Sequence, residues 1–480
     1  MSIIYTINQK AKQAVRGWLG LELGNGMSTS ETSTQKLIQT YRDYYGGKHK
    51  IYLTDRQKAW LDQHDGDLTF TVNHSATVVD AVVEKLQVIG FEASDPEAAA
   101  LLWEWWQANR MDVVQVEAHR WAVRDGEAGI LTTWNEVERR PDYVLHQRFI
   151  AKTAGGDGYG VWVEYPNDNW MTNPTHAVKQ WTDENNKDRR TVYYPDRIER
   201  LILERSKWVE YRDNPGDPWP TPWVTSAGQP IGIPVAHLRN SGLESDLKPV
   251  IPLQDALNKA WLDIMAASDT TAFRMLAFFG WIPTSDGKEP ADDGSNLLAV
   301  APGQMLATRK RPTEASIHEI EPADLGPLLE IEERIVYRMA LLSGTPASRF
   351  LTSRQVASDE TLKEQQEPLN AKVEERQSLF GNAWEDLGYV SLKMAQAFGG
   401  YSLADDVEIE TTWKPARPVK ETEQIASAQG KKGLGIPIET LWAELGYDQD
   451  EIAAMKKTPS YRASMAMMNI GVGSEIEDSA

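Results

Sequence analysis

Apolar positions recur every three to four residues over long stretches of this chain, and where they alternate instead, helix gives way to sheet. Between Ser33 and Tyr45, the side chains of Leu37, Ile38, Tyr41, Tyr44 and Tyr45 hold one helical face. Gly46-Gly47 then stops it, as glycine does after a C-terminus. A second helix is predicted from Val72 to Val88. Asp95 offers a side-chain cap with Pro96 in the first turn, so a third opens there and runs through Trp103, Trp105 and Trp106. A fourth covers Val113 to Arg124. From Gly129 to Ile233 the texture changes to short runs (GILTTW, YVLHQRFIA, YGVWVEY, HAVKQWT, TVYYP, KWVEYR) separated by turn clusters such as Gly155-Gly156-Asp157-Gly158 and Asn185-Asn186. These predict an antiparallel sheet. The stretch from Asn214 to Trp223 is too proline-rich for a central strand and is expected to be an ordered loop leading out of the sheet.

A long helix is then expected from Pro252 to Phe279, with Leu253, Leu257, Trp261, Ile264, Ala272 and Leu276 as its apolar positions; at 1.5 Å per residue it spans about 40 Å. Gly280 ends it. A turn-rich insert follows, with strand-like runs at Gln304 to Thr308 and Ser316 to Ile320. A second long helix runs from Ala323 to Ser343 and reverses the direction of the first, so the two helices and their insert form a projecting arm. The longest helical pattern, Asp359 to Phe398, carries Pro368 in its interior, which predicts a kink. A last strand is expected at Val407 to Trp413. After Pro415 and Pro418 come a small helical module and an acidic tail.

Composition narrows the classes. At 480 residues the chain is too long for one ordinary core, which favours two to four structural units. No run approaches the roughly 18 to 20 apolar residues that span a bilayer, and the first residues lack a secretory pattern, so a soluble protein kept inside a cell is expected. The absence of cysteine closes disulfide, thiolate-nucleophile and thiolate-metal chemistry. A formal charge of −20 opposes tight binding of nucleic acid across a broad basic face.

Catalytic signatures are missing. GKKGLG at Gly430 lacks the spacing with which a phosphate-binding loop wraps a nucleotide, and no zinc-protease, nucleophile-elbow, dinucleotide or EF-hand pattern occurs. The eight histidines show no metal-ligand spacing. Paired acids such as Asp292-Asp293, Glu332-Glu333 and Asp405-Asp406 could serve general acid–base chemistry, but 70 acidic residues produce such pairs by chance. The 18 tryptophans lie mostly inside helical or strand patterns, which favours packing over stacking on sugars or bases. Neither a cofactor nor a metal is expected, and the chain is not expected to be an enzyme.

The order of several blocks carries a resemblance. YRDYYGGKHKIYL precedes VNHSATVVDAVVEKLQVIGFEA, then come LWEWWQANRMDVVQVEAHRWAVRDGEAGILTTW and LKPVIPLQDALNKAWLDIMAASDTTAF. GTPASRFL and ASDETLKEQQEPLNAKVEERQSLFGNAWEDLGYVSLKMA close the series. Together they cover most of residues 35–400, and the chain resembles the portal proteins of tailed bacteriophages of the siphovirus type. The resemblance implies an α+β fold, a portal-like ring subunit. Residues 1–246 would be the wing (helices, then antiparallel sheet), 247–280 the first stem helix, 281–322 a small β-type clip insert and 323–344 the second stem helix. Residues 345–358 would be the tunnel loop, 359–414 a kinked helix and strand returning to the wing, and 415–480 a helical C-terminal crown.

The same resemblance implies a ring of itself, usually a dodecamer, at one capsid vertex of the virion, assembled in the host cytoplasm. Double-stranded DNA passes through it during packaging and ejection without sequence-specific binding. The other implied partners are the terminase large subunit, a head-completion or adaptor protein, and the major capsid and scaffolding proteins; no membrane is implied. In the tunnel loop Arg349 and Arg354 would offer guanidinium groups to phosphates, and Ser348, Thr352 and Ser353 weaker hydrogen bonds. An interhelical loop whose arginines pair with nearby acids accounts for the same residues. Arg309, Lys310 and Arg311, the densest basic cluster, fall in the clip, where they would face DNA, meet an acidic partner, or simply form a solvated turn. The rival readings are another phage structural protein, such as an adaptor or minor head protein, and a carboxylate-dependent hydrolase.

Overall fold

The computed structural model describes residues 30–49, 72–148, 160–166, 169, 172–205, 207–272, 275–282, 284, 311, 313–314, 316–320, 324–350, 359–402, 407–417, 421–434, 436–445, 447, 449–459 and 461. Residues 1–40 form one unit, of which 30–40 are described, within helix α1 (Ser30–Tyr45); residues 41–480 form the second.

The other helices are α2 (Ser75–Val83), α3 (Pro96–Ala108), α4 (Met111–Asp125), α5 (Ile251–Ala272), α6 (Gly326–Ser343), α7 (Asp359–Met394), α8 (Glu421–Gly433), α9 (Ile438–Glu444) and α10 (Gln449–Lys456). Local chemistry sets their ends. The Asp95 carboxylate accepts from the Glu97 N–H at 3.0 Å and caps α3, with Pro96 in its first turn, as the sequence predicts. α4 closes on Gly126 at φ +99, where an added Cβ would lie 2.6 Å from the Leu243 carbonyl oxygen; only glycine fits.

The strands are β1 (Val88–Ala93), β2 (Glu127–Asn135), β3 (Arg140–His146), β4 (Val161–Glu164), β5 (His176–Thr182), β6 (Asp188–Tyr193), β7 (Arg197–Glu204), β8 (Lys207–Glu210), β9 (Thr221–Pro222), β10 (Val235–Arg239), β11 (Met275–Phe279), β12 (Ser316–Ile320) and β13 (Ile409–Trp413). All pairings are antiparallel: β1 with β13, β10-β2-β3, β11 with β12, and β4-β5-β6-β7-β8 with β9 added to β7. Mixed helix and antiparallel sheet is the expected class.

Several boundaries differ from the sequence expectation. The second helix ends at Val83 rather than Val88, because Val88–Ala93 pairs with Trp413–Ile409 to make β1. The long helix ends at Ala272 rather than Phe279: Met275 pairs with Ile320 and Phe279 with Ser316, so the last five predicted helical residues are a strand. The second arm helix starts at Gly326 instead of Ala323. β7 was not expected, since RIERLILE spaces its apolar residues as a helix does; its neighbours β6, β8 and β9 make it a strand. β10 extends the sheet past Ile233, and α8 also went unrecognised. The proline-rich loop is ordered turns as expected, with a cis Trp219–Pro220 bond, and only Thr221–Pro222 joins the sheet. The run Gln304 to Thr308 and the acidic tail lie outside the described residues.

The main core gathers α2, α3, α4 and α7 around the β1–β13 pair and the three-stranded β10-β2-β3 sheet. Trp106, 1 % exposed, meets Phe91 and Trp384 edge-on at 5.3 and 5.1 Å. His119 stacks on Phe380 at 5.3 Å and accepts from the Trp384 indole N–H at 3.2 Å. Complete burial pushes its pKa down to about 3, so the ring is neutral. Trp103, Trp105, Trp106 and Trp384 pack in this core, and truncating one such as Trp384 should cost about 3–5 kcal/mol. A second cluster, Leu131, Val161, Val163, Ala177 and Val235, joins the three-stranded sheet to the six-stranded one.

Candidate functional site

The segment that the resemblance singles out begins where α6 ends. Gly344, at φ +66, turns the chain out of the helix, and the Thr345 N–H donates back to the Ala340 carbonyl at 3.1 Å. Ala347–Arg349 then forms one tight 3-10 turn. This start of the loop leans on both ends of α2, His74 before its first residue and Glu84 after its last. The Phe350 ring stands edge-on to His74 at 5.4 Å, and Arg349 Nη1 donates to Glu84 Oε2 at 2.6 Å. Both members of that pair are substantially exposed, at 40 % and 54 %. Beside it, Lys85 donates to Asn370 Oδ1 at 2.7 Å and to the Ala416 carbonyl at 3.0 Å. Burial, and secondarily the Arg349 charge, lower the Lys85 pKa.

Of the residues singled out from sequence, Ser348 and Arg349 fall in this turn, both exposed. Thr352, Ser353 and Arg354 lie outside the described residues, as do Arg309 and Lys310. Arg311 is exposed and its N–H donates to Glu314 Oε2 at 3.3 Å.

Beneath the loop lies a charge cluster that the sequence did not reveal. Asp246, with its side chain 5 % exposed, accepts from Lys372 Nζ at 3.0 Å, Arg376 Nη2 at 3.2 Å and Asn240 Nδ2 at 2.9 Å. Lys372 also donates to the Ser343 carbonyl at 2.9 Å, on the last residue of α6. One lysine therefore ties the C-terminus of α6 to α7 and to the buried carboxylate. Burial works to raise the Asp246 pKa and is outweighed, by the Lys372 charge first and then by Arg376 and Asn240, so the carboxyl sits below its usual value. Lys372 and Arg376 are one helical turn apart, but their partner is more than a hundred residues away. Only that spacing in an otherwise acidic stretch of helix hinted at it.

A second buried charge joins the two larger sheets. Glu127 pairs with Arg148 and accepts from His237 Nε2 at 2.7 Å, while the Tyr165 hydroxyl lies 3.1 Å from His237 Nδ1. Burial opposes ionisation of Glu127, but the His237 hydrogen bond and the Arg148 charge prevail and hold its pKa down to about 2. Neither of two surface clefts contains this group. The larger, about 430 Å³, lies between Trp413 and the Lys431–Glu444 ion pair; the other, about 300 Å³, is lined by Trp134, Trp181, Trp223, Lys179 and Arg200. Among the described residues no group of three histidine or acidic side chains could hold a metal ion, and no helix is long and apolar enough to cross a membrane.

Among the described residues, buried ion pairs tie the end of α6 to α7 and join the two larger sheets. Residues 29–463 match the model of the family described as phage portal protein, SPP1 Gp6-like, and the chain belongs to that family of phage structural proteins. It is 24 % identical over 420 residues to the portal protein of Mycobacterium phage D29, covering 83 % of this chain and 81 % of the relative. The same identity over 421 residues, with the same coverages, holds for the portal protein of Mycobacterium phage L5. Among solved structures, a chain from the neck of a native gene transfer agent particle is 12 % identical, with a TM-score of 0.41, covering 87 % of this chain and 99 % of its own.

Proposed function

We propose that this chain closes into a ring of roughly twelve copies at one vertex of a tailed-phage head, and that double-stranded DNA passes through the ring during packaging and ejection. The observation that carries the reading is the family match across residues 29–463. The order of elements supports it: α5 and α6 bracket the paired strands β11 and β12, as two stem helices around a clip would, with the first stem helix ending at Ala272. Residues up to 246 act as wing, residues 345–358 as tunnel loop and residues from 415 as crown. The protein supplies geometry, and a separate terminase motor docked on the ring supplies the work. Head-completion, capsid and scaffolding proteins are its other partners in the virion.

In this reading Arg349 sits at the root of the tunnel loop, held by Glu84 until a phosphate competes for it. Thr352, Ser353 and Arg354 lie farther along the loop, and Arg309, Lys310 and Arg311 form the basic cluster of the clip. A net charge of −20 per subunit keeps the wall from gripping its cargo. Native mass spectrometry with negative-stain class averages tests the proposal. Closed rings with a central hole are expected; a strict monomer even in the presence of the cognate capsid and scaffolding proteins overturns it.

A further inference from the structure

The short run Glu84-Lys85-Leu86-Gln87, just after α2, touches two distant parts of the chain at once. Its backbone is fixed. The Lys85 and Leu86 N–H groups donate to the Val82 and Val83 carbonyls at 3.1 and 3.0 Å, and the Leu86 side chain, 1 % exposed, is seated in the main core. On one side Glu84 accepts from Arg349, at the start of the loop that leaves α6. On the other, the Gln87 carbonyl accepts from the Lys414 N–H at 2.9 Å and Lys85 Nζ donates to the Ala416 carbonyl at 3.0 Å, both in the segment that follows β13. α7 braces that segment as well: Gln377 Nε2 donates to the Lys414 carbonyl at 2.9 Å, and Arg417 pairs with Glu367 and Glu374 at 2.9 and 2.8 Å. The loop start and the root of the C-terminal module therefore share one short junction.

Lys85 is the member that links them. Its ammonium is drawn inward to two neutral oxygens, those of Asn370 and Ala416, on residues only 4 % and 6 % exposed. Burial disfavours its charge, and the nearby Arg349 guanidinium disfavours it further. Two cations are thus held at one place, Arg349 by an exposed carboxylate and Lys85 by buried neutral acceptors. Like charges within range repel, so each weakens the hold on the other.

We propose that this junction couples the loop start to the segment after β13 with a negative sign: docking of Arg349 on Glu84 loosens the Lys85 clamp on Ala416, and departure of Arg349 tightens it. The coupling belongs to the single chain. Its use in a channel rests on the ring reading, in which a phosphate that draws Arg349 away is felt as a firmer hold on the C-terminal module. Coupling is reciprocal, so loss of Lys85 likewise firms the pair of Arg349 with Glu84.

Hydrogen exchange on the full chain tests it at two amides. The Lys414 N–H reports on the segment after β13, and the Phe350 N–H, which donates to the Ala347 carbonyl at 3.0 Å, reports on the loop start. Arg349 is 40 % exposed, which limits the effect to that of a solvent-screened pair. In Arg349→Gln the Lys414 amide is expected to exchange about two- to fivefold more slowly. In Lys85→Met the Lys414 amide should exchange faster and the Phe350 amide more slowly, opposite changes that a plain loss of packing does not produce. Both slowings should shrink at high salt. A Lys414 amide that is not slowed in Arg349→Gln overturns the coupling, as does a Phe350 amide that is not slowed in folded Lys85→Met. If Lys85→Met does not fold, Arg349→Gln alone decides. The ring reading fails separately, by a monomer in the mass spectrum, because the exchange experiment reads the coupling in either state of assembly.

Discussion

Replacing Asp246 by asparagine keeps the shape of the side chain and removes its charge from between Lys372 and Arg376. Arg376 is only 4 % exposed at its side chain and Lys372 21 %, so neither cation recovers much hydration after the change. Breaking one member of such a cluster typically costs about 3–5 kcal/mol, most of it the penalty of leaving buried charge uncompensated. The substituted amide could still accept one hydrogen bond, which places the expectation near the lower end, about 3 kcal/mol. Lys372→Met is the milder change: Asp246 keeps Arg376, and a loss of about 1–2 kcal/mol is expected from the two bonds given up. Urea denaturation of assembled and unassembled protein measures both. Hydrogen exchange adds a local readout, because the Thr345 amide donates to Ala340 beside the Ser343 carbonyl that Lys372 holds. That amide should exchange faster in both variants. Since the Asp246 carboxyl is held below its usual value, its contribution is present above the unfolded carboxylate range and is lost as pH falls through the folded value. If Asp246→Asn costs under about 1 kcal/mol, and the Thr345 amide is unaltered, the cluster does not anchor the loop.

Other consequences are simpler to check. Glu84→Gln opens the exposed pair with Arg349 and should change stability by less than about 1 kcal/mol; a larger loss in urea titration would mean that the pair holds the fold. Gly344→Ala forces an alanine into a left-handed conformation with no steric clash, since the nearest contact of the new Cβ is 3.7 Å, and should cost about 1–2 kcal/mol by the same titration. His119 has its pKa depressed to about 3 by burial, so the unfolded chain binds its proton first. Its contribution is complete above about pH 6.5 and is lost as pH falls towards 3. His119→Phe should flatten the pH dependence of stability across that window, and an unchanged slope would refute a buried neutral ring.

The particular elements show what each level decides. The Asp95 cap, the glycine stops after Tyr45 and Ser343, and the alternation in HAVKQWT are local signals, and α1, α3, α6 and β5 appear where those signals place them. Such signals act within a few residues, so the sequence by itself carries them. Order and number of blocks likewise sufficed for the family. MLAFF and RIERLILE satisfy a helical period and a strand equally, and only partners brought close by the fold, Ser316–Ile320 in the one case and three neighbouring strands in the other, make them sheet. The same holds for the candidate site. Arg349 was legible as a basic residue in a linker, but its pairing with Glu84 spans 265 positions and the Asp246–Lys372 contact 126. Both pairs exist only because the fold brings distant segments together, and around Asp246 it also excludes water; neither is a property of any one segment.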